Sequence, residues 1–140
     1  MDHEHSTGDL VMALARRVRR EHAESLADWD VTPSQARALR VLASAEAGMR
    51  PSVLADELRI APRSATDVVD GLEARGWVAR AADPTDRRAT VLSLTPDGHE
   101  LVGRIEDVRR VASERVLDVL TEAQSRTLHE ILSVVVGERQ

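Results

Sequence analysis

The sequence predicts a mostly α-helical protein with one small β-hairpin, on the strength of three observations. Apolar residues recur at three- and four-residue spacing through most of the chain, which is typical of amphipathic helices. The strict alternation of Thr90–Leu94 instead indicates a strand. The 140 residues are 42% hydrophobic but include only two Trp and no Phe or Tyr, so the core must be built from aliphatic side chains.

The first two helices are predicted from their apolar stripes and their start signals. A long helix should run from about Gly8 to Leu26, with Leu10, Val11, Leu14 and Val18 along one side. Thr32-Pro33-Ser34-Gln35 matches a capping box with proline at the first helical position, so a second helix should begin at Pro33.

Two shorter helices follow, separated by a tight turn. Pro51 opens the first of them, and Arg59-Ile60-Ala61 is too short to be anything but a turn. Pro62 suits the start of the second helix, and Gly76 suits its end. The residues expected to form their apolar faces are Val53, Leu54 and Leu58, followed by Ala65, Val68, Val69 and Leu72. Two helices joined in this way predict a helix-turn-helix, whose second helix usually enters the DNA major groove.

A hairpin is predicted directly after this pair. Trp77-Val78-Ala79 can form only a short extended run, and Asp83-Pro84-Thr85-Asp86 is dense in turn-forming residues. The loop continues with Arg87 and Arg88 before the strand at Thr90–Leu94. A helix-turn-helix followed by an arginine-tipped hairpin is the outline of a winged helix. Ala47-Gly48-Met49 is expected to be a loop.

The remaining helices have more apolar surface than a small winged helix can bury. Thr95 and Pro96 should begin a helix of about two dozen residues, and Thr121-Glu122-Ala123-Gln124 is a capping box that opens a last helix. With the N-terminal helix they form a second apolar surface. We therefore predict a helical dimerisation region from residues 1–30 and 96–140, around a winged helix-turn-helix at residues 31–95.

Composition excludes several classes of function. Without cysteine the chain has no disulfide, thiolate nucleophile or zinc–cysteine cluster, and no glycine-rich phosphate loop or metal-binding histidine pair on a helix is present. We expect no enzyme, no metal and no other cofactor. No apolar run has transmembrane length and no signal peptide is recognisable, so a cytoplasmic protein without membrane contact is expected.

The charge of the chain is not that of a typical DNA-binding protein. The net charge is −5, but the acidic surplus lies outside Arg50–Thr95. All 19 basic residues are Arg, which is suited to bidentate contact with phosphate or guanine. Genome composition would produce the same bias.

Four passages resemble the multiple antibiotic resistance regulator (MarR) family of winged-helix transcription factors. They are Val31–Leu39, Leu54–Leu58, Leu72–Val78 and the segment from Asp83 to Gly98 that includes Asp83-Pro84-Thr85-Asp86-Arg87-Arg88. The resemblance implies an obligate two-fold dimer. It also implies a small-molecule effector bound between the dimerisation helices and the winged helix. The candidate lining residues here are Met12, Arg16, His22, Trp29 and Arg37.

The expected DNA contacts lie on the second helix of the helix-turn-helix. Arg63, Ser64, Thr66 and Asp67 fall off its buried face. Arg63 could grip guanine, Thr66 could meet a thymine methyl group or a phosphate, and Asp67 could accept a hydrogen bond from cytosine. Asp70 is expected to hold a neighbouring arginine. Asp67 and Gly71 stand where the family commonly has basic or long polar residues.

The wing tip supplies a second set of expected contacts. Asp86 and Arg88 would share a face of an extended hairpin arm, so that Asp86 orients the Arg88 guanidinium toward a minor groove. In the family pattern, Asp-x-Arg plays this part. Arg87 would point the other way and contact a phosphate.

The sequence therefore predicts a DNA-binding transcriptional regulator, a ligand-responsive repressor that binds a pseudo-palindromic operator as a homodimer. The alternative is a winged helix that binds protein, with weak or no DNA binding. The acidic residues of the second helix favour the alternative, and the arginine-tipped wing favours DNA.

Overall fold

The computed structural model describes residues 5–138. This part of the chain is mostly helical, with one two-stranded antiparallel sheet, as predicted. In chain order the elements are α1 Thr7–Leu26, α2 Pro33–Ala43, α3 Pro51–Leu58, α4 Pro62–Ala74, β1 Val78–Ala82, β2 Thr90–Leu94, α5 Pro96–Leu117 and α6 Glu122–Val136. A 3₁₀ turn at Ala27–Trp29 separates α1 from α2.

Backbone contacts divide the chain into two compact units. The winged-helix unit is Leu26–Val108, and among the described residues the terminal-helix unit contains residues 5–25 and 109–138. The predicted dimerisation region of residues 1–30 and 96–140 stays a prediction, and the division by contacts assigns the first half of α5 to the winged-helix unit. Leu101 and Ile105 explain this assignment, because both are buried in that unit's core.

The core of the winged-helix unit is aliphatic. Its fully buried large side chains are Leu39, Leu42, Leu54, Val69, Leu72, Leu92 and Ile105. They come from α2, α3, α4, β2 and α5, so each of these elements contributes its apolar face to one cluster. Burying a Leu or Ile side chain stabilises a fold by about 1.5–3 kcal/mol.

The helix-turn-helix consists of α3 and α4. Arg59 at the turn has a φ of 54°, and this left-handed conformation reverses the chain within three residues. Leu54, Leu58, Ala65, Val69 and Leu72 are buried as predicted. The expectation for Val53 is wrong, because its side chain is 43% exposed and lies on the outer side of α3.

The wing is a hairpin in which β1 and β2 pair from Val78–Leu94 to Ala82–Thr90. β1 extends three residues beyond the predicted Trp77–Ala79 run. Met49, expected in a loop, forms a bridge with Leu92 through two backbone hydrogen bonds of 2.7 and 2.9 Å. Leu92 is therefore held from both sides, which fixes the base of the wing on the core.

The predicted start signals of the helices are present. Thr32 with Gln35, and Thr121 with Gln124, form reciprocal capping boxes at α2 and α6. At α5 the Gly98 amide donates to Thr95 Oγ1 over 3.1 Å. These bonds satisfy amides that have no partner within the helix.

The terminal-helix unit keeps few apolar side chains out of solvent. Ala112, Val116 and Ser133 are buried within it, and His22 Nε2 lies 2.8 Å from Ser113 Oγ. Among its described residues, nine large hydrophobic side chains are exposed in the isolated chain: Leu10, Val11, Met12, Val111, Val119, Ile131, Val134, Val135 and Val136. No helix among residues 5–138 is long and apolar enough to cross a membrane.

We expect Gly98→Ala to destabilise the protein strongly. A Cβ atom at Gly98 would lie 2.1 Å from the carbonyl oxygen of Trp77, so the backbone must shift. Overpacking of this kind costs about 1–3 kcal/mol, and urea denaturation measures the loss.

The matched control is Gly103→Ala in the same helix. Nothing lies within 4 Å of a Cβ atom at Gly103. Replacing this helical glycine should stabilise the protein by up to about 1 kcal/mol. Equal effects of the two substitutions would show that the contact of Gly98 with Trp77 is not a constraint.

Candidate nucleic-acid interface

The N-terminal half of α4 presents the polar residues that the sequence singled out. Arg63, Ser64, Thr66 and Asp67 are all exposed, whereas Ala65 between them is buried. The buried side of the helix packs on the core through Val69 and Leu72. The four polar side chains are therefore directed to solvent by the residues between them.

Both helices of the helix-turn-helix begin without a side-chain cap. Arg50 and Ala61 occupy the N-cap positions of α3 and α4, and neither side chain accepts a hydrogen bond from its helix. In α2 and α6, threonine caps do so. Uncapped amides at a helix start, with the positive end of the helix dipole, attract an anion such as phosphate.

Thr66, a predicted contact, and Gly71, which departs from the family pattern, each have a local role in α4. The Thr66 hydroxyl donates to the Pro62 carbonyl over 3.0 Å, which leaves its methyl group and an oxygen lone pair for a ligand. A Cβ atom at Gly71 would lie 3.1 Å from Gln35 Nε2, so the glycine permits close packing of α2 on α4.

An arginine clamp attaches the wing to α4. Arg80 on β1 donates to Asp70 Oδ1 over 2.6 Å and to Glu73 Oε1 over 2.9 Å. The hydrogen bond to Asp70 is the main cause of a raised pKa of Arg80, with Glu73 adding to it. Asp70 thus holds the arginine of the first wing strand, and the acidic residues near the end of α4 are engaged within the protein.

Asp83 organises the tip of the wing. Its Oδ1 accepts from the Thr85 amide and the Thr85 hydroxyl, each over 2.8 Å. Its Oδ2 accepts from Nε and Nη2 of Arg50, over 3.2 and 2.9 Å. The Asp83 amide donates to the Ala89 carbonyl over 2.9 Å, which closes the loop. The Asp83 carbonyl accepts from the Asp86 amide over 3.3 Å. Four side-chain hydrogen bonds and two backbone bonds therefore converge on one residue.

The role expected for Asp86 differs from the observed geometry. Asp86 Oδ1 accepts from the backbone amide of Arg88 over 3.1 Å, not from its guanidinium. The reason is that Asp86–Ala89 form a turn, whereas the prediction assumed an extended arm. Asp86 therefore shapes the backbone that carries Arg87 and Arg88, and both side chains are exposed.

The arginines of the winged-helix unit fall into two groups. Six are engaged through hydrogen bonds, ion pairs or stacking on tryptophan: Arg37, Arg40, Arg50, Arg75, Arg80 and Arg104. In the same unit, Arg59, Arg63, Arg87 and Arg88 make no side-chain hydrogen bond or ion pair. They stand at the turn before α4, in its first turn and at the wing tip.

Arg59 was missed by the sequence reasoning, which treated Arg59–Ala61 only as a turn. Its position immediately before the second helix could have been the signal. Because its guanidinium is exposed and unengaged beside the uncapped start of α4, it belongs with Arg63 as a candidate phosphate contact.

The residues expected to bind an effector occupy both units. Met12 and Arg16 are exposed on α1, and His22 contacts Ser113. In the winged-helix unit, Arg37 donates to the Leu58 carbonyl over 3.1 Å, and Trp29 stacks with Arg104. Arg37 is therefore partly engaged in holding the end of α3.

Comparison with known proteins identifies the family. A family model described as the MarR family matches residues 29–89. The HTH-type transcriptional repressor MdtR of Bacillus subtilis is 32% identical over 116 residues, which cover 81% of this chain and 73% of that protein. The chain belongs to the MarR family. A mutant of Escherichia coli MarR has a similar fold, with a TM-score of 0.87 at 24% identity over 96% of this chain and 99% of that one.

A second solved MarR structure adds a ligand. A Mycobacterium tuberculosis MarR family protein in complex with salicylic acid is 29% identical, with a TM-score of 0.76 over 96% of this chain and 99% of that one. Membership of this family shows that the protein is a DNA-binding transcriptional regulator and not an enzyme. The predicted family and fold class are confirmed.

The wing tip should show a strongly acidic carboxyl group. Hydrogen bonds from the Thr85 amide and hydroxyl, followed by that from Arg50, lower the pKa of Asp83 to about 2. Its charged form therefore stabilises the wing above the ordinary pKa of 3.8, and this contribution is lost as pH falls through about 2. An NMR titration of the side-chain carboxyl carbons measures this pKa.

Arg50→Gln should raise the pKa of Asp83 only part of the way to 3.8, because the two Thr85 bonds are the larger causes. Thr85→Val removes the hydroxyl donor and should raise the pKa as well. Asp56, an exposed carboxylate of α3, serves as the internal control. An unchanged pKa of Asp83 in both variants would contradict the described geometry.

Proposed function

We propose that this MarR protein is a ligand-responsive repressor that binds a pseudo-palindromic operator as a homodimer. The proposed DNA contacts rest on one observation, which is that some arginines have partners within the protein and others do not. The winged-helix unit engages six of them through hydrogen bonds, ion pairs or stacking, and it leaves Arg59, Arg63, Arg87 and Arg88 unengaged. An exposed guanidinium without an internal partner is available for phosphates and base edges.

The proposed contacts divide by chemistry. Arg63 reads guanine in the major groove, with Ser64, Thr66 and Asp67 contacting neighbouring bases or phosphates. Arg88 enters the adjacent minor groove, whose negative potential attracts arginine. Arg59 and Arg87 neutralise phosphates. The Arg80 clamp and the Asp83 hydrogen bonds fix the wing before DNA arrives, so less ordering is required on binding.

The dimer is supported by the exposed apolar side chains of the terminal-helix unit. Val134 and Val135 are 80% and 75% exposed in the isolated chain, and Ile131 and Leu10 are exposed as well. Exposed apolar side chains in this number are typical of an interface. A two-fold dimer predicts operator half-sites about 10 bp apart or a multiple of that spacing.

An effector is proposed by relation to the salicylic acid complex of the Mycobacterium tuberculosis protein. The five candidate residues, Met12, Arg16, His22, Trp29 and Arg37, stay a prediction. We place the protein in the cytoplasm because that is where its DNA partner is found.

The alternative, a winged helix that binds protein, has one observation in its favour. The acidic residues of α4 lower the positive charge of the helix that should face DNA. Asp70 and Glu73 are, however, engaged by Arg80, which leaves Asp67 as the carboxylate of α4 without an internal partner among the described residues. DNA is therefore the better-supported partner. A gel shift with the DNA upstream of the protein's own gene distinguishes the two.

We expect the protein to be a dimer of about twice 15.4 kDa in light scattering at micromolar concentration. Ile131→Glu combined with Val135→Glu should give monomers, because both side chains lie on one side of α6 and the charges cannot be buried.

Val53→Glu is the matched control for this experiment. Val53 is also an exposed valine on a helix, but it belongs to the winged-helix unit and should leave the dimer intact. A wild-type monomer at micromolar concentration would rule out the two-fold model.

Arg88→Ala should weaken operator binding by about 1–3 kcal/mol, as expected for the loss of one good base or groove contact. Fluorescence anisotropy at fixed salt measures the affinity, and circular dichroism checks the fold. Arg87→Ala and Arg59→Ala should instead weaken binding to all sequences and each reduce the salt dependence by about one unit of slope.

Arg126→Ala is the control, because it removes an exposed arginine from α6 in the other unit. If folded Arg88→Ala protein binds the operator as tightly as wild type, the wing has no part in recognition. The protein-binding alternative would then gain support.

A further inference from the structure

An open cavity of about 500 Å³ lies within the winged-helix unit. Trp29, Trp77, Leu101 and Arg104 line it together with the carboxylates of Asp28, Asp97 and Glu100. None of these residues belongs to the proposed DNA contacts. Trp29 is also one of the five residues proposed for the effector, and the other six lining residues have no role proposed above.

The cavity collects all the aromatic side chains of the protein. The sequence contains two Trp and no Phe or Tyr, and both indoles line this one cavity although they are far apart in the chain. Both are half-buried, so their rings are only partly covered by the core. The core is built from aliphatic side chains, so the partly exposed indole faces are available to contact a ligand.

Each indole already contacts a cation. The Cζ atom of Arg104 lies 5.0 Å from the ring centroid of Trp29, and that of Arg75 lies 4.2 Å from the centroid of Trp77. Such contacts are attractive because the ring face is electron-rich. The structure thus demonstrates that both rings are placed where they accept a delocalised cation.

The charged side chains that line the cavity also favour a cationic ligand. Three exposed carboxylates line the cavity with one guanidinium, that of Arg104. The Arg75 guanidinium on the Trp77 ring is paired with Asp30, so it does not balance these carboxylates. Asp28, Asp97 and Glu100 have no side-chain hydrogen bond or ion pair with any described residue. A concave surface with unpaired carboxylates has a negative potential, which attracts cations and repels a carboxylate ligand.

We propose that this cavity binds a monovalent organic cation with an aromatic or bulky apolar body. The carboxylates supply the charge complement, and the two indoles with Leu101 supply the apolar contact. Arg104 occupies the face of Trp29 in the unliganded protein, and the ligand displaces it. An inorganic cation has no apolar body to contact the indoles, so an organic cation fits this cavity better. This site does not depend on DNA binding, so its test needs no DNA.

The test uses tetraphenylphosphonium as the probe and the full chain without DNA. Because both tryptophans line the cavity, the intrinsic fluorescence of the protein reports directly on its occupation. We expect a saturable change at micromolar probe concentration. Tetraphenylborate has almost the same shape with the opposite charge, and it should give no saturable change.

Substitutions test which residues are responsible. Asp97→Asn combined with Glu100→Gln should weaken tetraphenylphosphonium binding about tenfold or more. Because Asp97 also lies in the first turn of α5, Glu100→Gln alone is measured too and should weaken binding in the same direction. Asp107→Asn is the matched control, since this exposed carboxylate of α5 does not line the cavity.

Arg104→Ala provides a test of opposite sign. Its removal eliminates a competing cation and uncovers Trp29, so tetraphenylphosphonium should bind several-fold more tightly. Weaker binding in this variant would overturn the proposal, as would equal binding of the two probes by the wild-type protein. Unchanged affinity in the folded double variant, checked by circular dichroism, would also overturn it.

Discussion

The junction at Gly76 and Trp77 is the constraint on which the winged-helix unit depends. Here α4 ends, the wing begins, and the chain returns from the wing to start α5. The Trp77 carbonyl accepts the Thr95 amide over 3.1 Å, and the Gly76 carbonyl accepts the Thr95 hydroxyl over 2.6 Å. Gly98 then approaches the Trp77 carbonyl so closely that no Cβ atom fits. The two ends of the wing are thereby fixed to each other at one point.

This constraint makes the remaining polar contacts effective. Arg80 can join β1 to α4 because the junction sets where β1 leaves the helix, and Arg50 can reach Asp83 because Met49 pairs with β2. Exposed ion pairs of this kind contribute little stability individually. They matter because they fix positions. They pair Arg50 and Arg80 with carboxylates of the protein, and the arginines before α4, in its first turn and at the wing tip stay available for DNA.

The acidic character of this MarR protein is therefore compatible with a DNA-binding surface. A net charge of −5 describes the whole chain, whereas recognition depends on which charges have no internal partner. Asp70, Glu73 and Asp83 are each paired with an arginine, so they do not act as free negative charges beside α4 and the wing. The unpaired carboxylates of the winged-helix unit include those around the two tryptophans. The unit therefore presents surfaces of both signs, with different ligands proposed for each.

The sequence by itself determined the elements and their order. Periodicity, proline at helix starts, capping boxes and the left-handed glycine at position 76 act through neighbours within a few residues, so they could be interpreted without coordinates. The tertiary structure alone decided the partners of the charged groups, because Arg50 and Asp83, or Arg80 and Asp70, meet only after the wing folds back. It also placed Asp86 on the Arg88 amide, because the loop forms a turn and not an extended arm. The sequence also could not predict that Trp29 and Trp77 line the same cavity, because local patterns do not indicate which distant residues come together.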